Sequence, residues 1–285
     1  MQKLSSGKVR DIYTVDDKSL MIVVSDRVSA FDVIMNDPIP DKGKILTQMS
    51  EFWFDFTSDI VPNHVISTDP SEFPPEFQTP EFRGRSMLVK KLKMLPIECI
   101  ARGYITGQGW DSYQRTGIAW LTTPPSGMQE SQRLAAPLFT PSSKATDGEH
   151  DEYISFEQMR VLIGLDLALR VRDLTLEIYS KCAEYAQTRG IIIADTKLEF
   201  GLDDNGTLVL GDEIATPDSS RFWAADRYEI GRGQDSFDKQ PLRDWLESSG
   251  FKGKSPDHLP DEIITSTRTR YLEAFTRLTG RTLKA

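Results

Sequence analysis

The sequence predicts an α+β chain of two lobes, on three observations. Short β-branched runs crowd the first third, helical periodicity dominates the last, and between them Gly103, Gly107 and Gly109 mark a flexible crossing. The division falls after Arg102, with a β-rich lobe over residues 1–102 and an α+β lobe over 103–285.

Taken in order, residues 8–15 and 19–25 read as strands joined by the turn Asp16-Asp17-Lys18. Residues 44–56 carry apolar side chains at helical spacing, and 62–80, rich in Pro, Ser and Glu, read as a surface meander. Residues 86–92 and 97–102 read as a second strand pair, and a short helix follows near 110–115. Residues 122–152, with Pro124, Pro125, Pro137 and Pro141, read as a long loop, either a lid or a surface insertion. Ser155-Phe-Glu-Gln158 has the form of a capping box. Beyond the break at Gly164, Leu167, Val171, Leu174, Ile178, Cys182 and Tyr185 line one helical face, which Gly190 ends. Strands at 191–201 and 207–213 form a hairpin around Asn205-Gly206, and helices are expected at 241–249 and 261–279.

Composition excludes several function classes. A formal charge of −9 disfavours a nucleic-acid partner. No apolar run approaches the ~20 residues that cross a bilayer, and the first residues lack the apolar stretch of an export signal. We therefore expect a cytoplasmic protein without membrane contact; a monomer is expected as well, although no residue pattern indicates it. Cys99 and Cys182, each beside apolar neighbours, read as buried thiols, and His64, His150 and His258 lie too far apart for zinc.

The acidic hairpin carries the most chemical information. Side chains alternate along a strand, so Asp195, Lys197 and Glu199 share a face. A two-residue turn at Asn205-Gly206 places Glu199 opposite Asp212. Opposed carboxylates destabilise a ladder unless a cation joins them; hard oxygen ligands suit magnesium together with phosphate. A solvated edge hairpin is the other reading. Lys8 and Arg10, beside Gly7, read either as an anion contact or as a solvated terminus. Arg102 and Arg221 end a strand and a turn, where arginines are commonly solvated.

As a set, these residues fall within blocks that resemble the SAICAR synthetase family. The blocks are Gly7-Lys-Val-Arg-Asp-Ile-Tyr13, Ser25-Asp-Arg-Val-Ser-Ala-Phe-Asp32, Leu95-Pro-Ile-Glu-Cys-Ile-Ala-Arg102 and His150-Asp151. Asp195-Thr-Lys-Leu-Glu-Phe-Gly201, Gly211-Asp-Glu213 and Pro217-Asp-Ser-Ser-Arg-Phe-Trp223 complete them. Chain length and Asp235-Ser-Phe-Asp-Lys-Gln240 resemble the longer, yeast-like form.

The resemblance implies two α+β lobes with ATP between them and magnesium bound to its phosphates. It implies ligation of aspartate to a carboxyaminoimidazole ribonucleotide through an acyl phosphate, a step of purine biosynthesis. Lys8 and Arg10 match a phosphate-contacting pair, and residues 91–94, including Lys91 and Met94, match the segment that holds adenine. Glu199 and Asp212 match positions near ribose, phosphates and metal; Asp151 matches a further acidic residue there. Asp195 and Lys197 flank the reacting groups, whereas Arg102, Arg221 and Lys239 match nucleotide-binding positions, and Asp37 matches a further site position. Gln108 stands where family members commonly carry a serine. A small-molecule kinase and a nucleotide sensor are the alternatives, although His-Arg-Asp and Asp-Phe-Gly are absent.

Overall fold

Apolar residues at the start of the chain build an antiparallel sheet whose inner strand is covered on both faces, Ile22 and Val24 on one side and Met21 and Val23 on the other. A computed structural model describes residues 2–31, 33–144, 152–237 and 239–284. Strands β1 (Gln2–Ser6), β2 (Arg10–Thr14) and β3 (Ser19–Val24) run as consecutive hairpins. The short ribbon β4 (Ser29–Ala30) and β5 (Val33–Ile34) precedes α1 (Lys42–Phe56). Strands β6 (Val65–Ser67) and β7 (Ser86–Lys90) complete a five-stranded sheet ordered β1-β2-β3-β7-β6.

The second sheet begins with β8 (Lys93–Met94) and β9 (Ile97–Tyr104). After α2 (Gly107–Thr116) come β10 (Arg133–Ser143), β11 (Glu152–Tyr153), α3 (Phe156–Ile163) and α4 (Leu165–Thr188). Then follow β12 (Ile191–Leu202), β13 (Leu208–Gly211), β14 (Ser220–Ala224), α5 (Gln240–Ser248) and α6 (Asp261–Thr279). All pairings of this seven-stranded sheet are antiparallel, and β12 touches four partners, β8, β9, β13 and β14.

Several elements match the expectations. The capping box at Ser155 and Gln158 is formed in both directions, and Val171, Ile178 and Cys182 are buried along α4. Both cysteines are buried free thiols.

Four expectations need correction. Strand β7 does not pair with β9; it joins β3 and β6, because Lys91–Pro96 carries the chain into the other sheet. Residues 62–80 are more than a meander: Phe73, Phe77 and, just beyond, Phe82 are buried against Met21 and Val23. The long loop contains β10, an eleven-residue strand that tolerates its prolines in two ways. Pro137 falls at the irregularity between Arg133 and Leu138, and Pro141 accepts from the Ile154 amide through its carbonyl. Finally, the glycines near residue 103 are sites of tight packing rather than of flexibility. A Cβ on Gly103 would lie 1.9 Å from the Tyr179 hydroxyl, and one on Gly109 would lie 2.1 Å from the Trp120 indole.

One apolar core runs through both sheets, from Ile22 and Met87 to Leu198 and Phe275. A satellite core ties α5 back to residues near the ribbon through Val28, Met35, Leu242 and Leu246. Among the described residues, no helix is long and apolar enough to cross a membrane.

His64 lies in this core, and its Nε2 has no partner among the described residues. Burial, reinforced by the Arg10 charge, lowers its pKa from 6.5 to about 3. The unfolded chain takes up the proton at higher pH than the fold does. Stability is therefore intact above about pH 6.5 and is lost at ~1.4 kcal/mol per unit as pH falls toward the folded value. Urea midpoints measured between about pH 7 and pH 5 should fall less steeply in His64→Gln than in the parent.

Candidate active site

Strand alternation on β12 places Asp195, Lys197 and Glu199 in one row, and the flanking strands decide what each meets. Asp195 is opposite Arg102 on β9 and opposite Arg221 on β14. Its Oδ2 accepts from Arg102 Nη1 at 3.1 Å and from Arg221 Nη1. Arg102, 5% exposed, also donates from Nε to Thr140 Oγ1 at 2.9 Å and from Nη2 to the Tyr153 hydroxyl at 3.4 Å. Two guanidiniums on one carboxylate leave net positive charge, a setting for an anionic ligand. The arginines read from sequence as commonly solvated are thus ordered by a buried carboxylate.

Further along β12, Lys197 Nζ donates to Glu98 Oε1 at 2.6 Å and to Glu199 Oε1 at 2.9 Å. Lys144 donates to the other oxygen of Glu199, and Ser142 donates to Glu98 at 3.2 Å. Burial pulls the Lys197 ammonium down, but the Glu199, Asp212 and Glu98 charges outweigh it and hold its pKa above the ordinary range. Burial acts upward on Glu199, yet Lys197 and Lys144 bring it down to about 2. At neutral pH this is a standing ion cluster, and Lys197 in it is a fixed positive charge.

The hairpin register departs from expectation by one residue. Glu199 faces Gly211, not Asp212. The Asp203 carboxylate accepts from the Asn205 and Thr207 amides at 2.9 and 2.8 Å, closing a loop over 203–207 in place of a two-residue turn. Strict alternation would then turn Asp212 away. The strand ends at Gly211, however, and Asp212 adopts φ 57°, in the left-handed region. Its carboxylate comes within electrostatic reach of Glu199 and Lys197. Arg10 bridges Asp212 at 3.3 Å and Glu213 at 2.5 Å, which ties the Gly7–Arg10 turn to the acidic hairpin. Burial, with the charges of Glu199 and Glu213, raises the Asp212 pKa despite Arg10. Such a carboxylate is under-compensated and would welcome a further cation.

A second buried cluster lies beside it. Asp218 accepts from Lys42 at 2.7 Å and from the Tyr271 hydroxyl at 2.7 Å, and pairs with Lys239 at 3.4 Å. Lys42 is fully buried, and burial lowers its pKa even though Asp218 opposes the shift. Lys239 therefore lies against Asp218, one turn of chain before Arg221.

Lys8 is exposed at the β1–β2 turn, where its carbonyl accepts from Arg27 Nε at 3.2 Å. Lys91, also exposed, donates its amide to the Lys18 carbonyl at 2.8 Å. Met94 rests on the acidic hairpin: a Cβ on Gly201 would lie 3.1 Å from its sulfur and 2.8 Å from Leu92 Cβ. Gln108 accepts from the Tyr153 hydroxyl at 3.3 Å. Asp37 stands apart, accepting from the Leu259 amide at 2.6 Å and meeting His258 at 3.4 Å. Asp151 lies outside the described residues.

No group of three or more His, Cys, Asp or Glu among the described residues is arranged to hold a metal. The donor set still suits magnesium, which commonly takes one or two carboxylates and completes its shell with phosphate and water. Glu98, Lys144, Glu213, Lys42 and Asp218 were not singled out as site residues from sequence. Glu98 and Glu213 fall inside the family-like blocks, and Asp218 opens the turn to Arg221. Lys42 and Lys144 carry no local signal, since their partners are brought by distant strands.

Comparison with known proteins identifies the family. The SAICAR synthetase family model matches residues 3–258. Curated phosphoribosylaminoimidazole-succinocarboxamide synthases are similar throughout. That of Syntrophobacter fumaroxidans is 54% identical over 100% of this chain and 95% of its own. That of Geobacter sulfurreducens is 55% identical over 96% of this chain and 93% of its own. The Saccharomyces cerevisiae SAICAR synthase, solved in complex with SAICAR, superposes with a TM-score of 0.91 at 46% identity, covering 98% of this chain and 95% of its own. A SAICAR synthetase solved with ADP gives 0.72 at 26% identity, covering 99% of each chain. With a family match over most of its length and relatives above half identity end to end, the chain belongs to the SAICAR synthetase family of ATP-dependent ligases.

Proposed function

We propose that this chain uses ATP to join L-aspartate to the carboxylate of a carboxyaminoimidazole ribonucleotide, acting as a cytoplasmic monomer. The observation that carries the reading is the single row on β12, where an arginine-flanked carboxylate and a lysine–carboxylate cluster stand two residues apart. One end suits an anionic nucleotide; the other suits a triphosphate.

In this reading the β-rich lobe supplies most of the ATP site. Met94 and Lys91 border adenine, while Lys8 and Arg10 meet the phosphates from the turn before β2. Glu199 and Asp212 border the ribose and phosphates and would hold magnesium, with Asp151 as a third candidate. When bound, magnesium would neutralise charge on the β- and γ-phosphates. Arg102, Arg221, Gln108 and Lys239 bind the imidazole nucleotide. Asp195, with its Oδ2 engaged by both arginines, orients them.

The substrate carboxylate attacks the γ-phosphorus and ADP leaves. Lys197, held cationic by its carboxylate neighbours, offsets charge on the moving phosphoryl group. The aspartate amine, as the free base, then attacks the acyl carbon; the C–O bond to phosphate breaks, and the proton lost from nitrogen leaves with the phosphate as the amide forms. Holding two anionic substrates in line contributes strongly to rate.

A coupled ADP-release assay tests the reading. ADP should appear only when ATP, the carboxyaminoimidazole ribonucleotide and aspartate are all present, with SAICAR formed in equal amount. Steady ADP release without aspartate would indicate a small-molecule kinase, and binding without turnover a sensor.

A further inference from the structure

Arg102 is held by more than its hydrogen bonds. Its guanidinium carbon lies 4.6 Å from the Trp120 ring centroid and 5.6 Å from that of Tyr153. Trp120 is 6% exposed and reaches this position through an unusual backbone. Ala119 and Thr122 exchange hydrogen bonds at 2.9 and 2.8 Å, and the two residues between them both have positive φ, 48° at Trp120 and 60° at Leu121. This is the geometry of a two-residue primed turn, which normally selects Asn and Gly. Here it drives the indole inward and leaves Leu121 59% exposed.

On the far side the indole fills the space that a side chain at position 109 would need, since a Cβ on Gly109 would lie 2.1 Å from its ring. Gly109 thus opens a slot in α2, a strained turn inserts Trp120 into it, and the ring lies over Arg102. Tyr153, which accepts from Arg102, in turn donates to Gln108 at 3.3 Å.

The guanidinium has five N–H groups. Among the described residues, Thr140, Asp195 and Tyr153 each take one, leaving one on each terminal nitrogen. A planar oxyanion meets such a pair best when the fork is held in one plane.

We propose that Trp120 is a positioning residue for the imidazole nucleotide: seated in the Gly109 slot, its indole holds the plane of Arg102 so that the free guanidinium donors face a carboxylate or phosphate of that substrate. The inference rests on the reading of Arg102 and Arg221 as nucleotide-binding residues. Trp120 itself touches no reacting atom.

Trp120→Leu keeps apolar bulk but removes the aromatic face, whereas Trp120→Phe keeps a face. The Leu variant should raise the KM for the imidazole nucleotide about tenfold. The Phe variant should restore it to within about threefold of the parent, with the KM for ATP moved less than about twofold in both. Gly109→Ala, which displaces the indole, should behave as Trp120→Leu does. A structural role alone would instead lower the melting temperature and kcat, with no selective change in nucleotide KM and no rescue by Phe. That result overturns the proposal, as does an unchanged nucleotide KM in Trp120→Leu. Arg221→Ala, run alongside, separates the two levels. If it leaves nucleotide KM unchanged, the binding assignment itself falls; if it raises that KM while the Trp120 and Gly109 variants do not, only the positioning role falls. Should Trp120→Leu fail to fold, Trp120→Phe against Gly109→Ala gives the same contrast.

Discussion

Asp212→Asn is expected to lower kcat/KM by about 10²–10³-fold, the scale seen when one preorganised electrostatic contact is lost, while leaving the fold at least as stable. The two halves of that expectation share one cause. Asp212 is half-buried beside Glu199 and Glu213; desolvation and the repulsion of these two carboxylates, which Arg10 offsets only in part, raise its pKa. Asparagine keeps the shape, removes the repulsion, and removes the charge that the proposed magnesium–triphosphate site would use. Steady-state rates at saturating magnesium, set beside thermal melts, check both. Near-parental activity would remove Asp212 from the nucleotide site. Lost activity together with a lower melting temperature would make the residue structural.

Asp218→Asn should do the reverse, with its first effect on stability. Asp218 is the shared counter-ion of Lys42, which has no exposed surface, and of Lys239, and it also accepts from Tyr271. Breaking a buried pair from one side leaves an uncompensated charge and costs about 3–5 kcal/mol. Urea unfolding of the variant would measure this. Adding Lys42→Met to the same chain should recover part of the loss, because the stranded charge then goes as well. A single variant as stable as the parent would show that Lys42 finds another partner or loses its proton at little cost.

The parts of the fold legible in sequence were those set by short-range patterns. Capping at Ser155, the apolar face of α4 and the alternation of Asp195, Lys197 and Glu199 each depend on neighbours a few residues apart. What escaped depends on distant partners. Strand β10 was hidden by its prolines, which a bulge and its short neighbour β11 accommodate. The hairpin register slipped by one because the Asp203 side chain closes a longer loop. Asp212 returned to the cluster through a backbone angle that no alternation rule contains. The row on β12 was readable, as was Arg102; its companions Glu98 and Lys144 became visible only once β9 and β10 were laid beside it.

That row also sets a fixed spacing. Asp195 and Glu199 belong to one unbroken strand, so roughly 13 Å of backbone, at about 3.3 Å per residue, separates the two anchor points. Four neighbouring strands clamp that strand from both sides. On the proposed reading, the β12 backbone would work as a ruler between donor and acceptor, with no hinge needed within it to bring phosphorus and carboxylate together. Any adjustment to a longer or shorter acceptor must come from the side chains or from the surrounding loops.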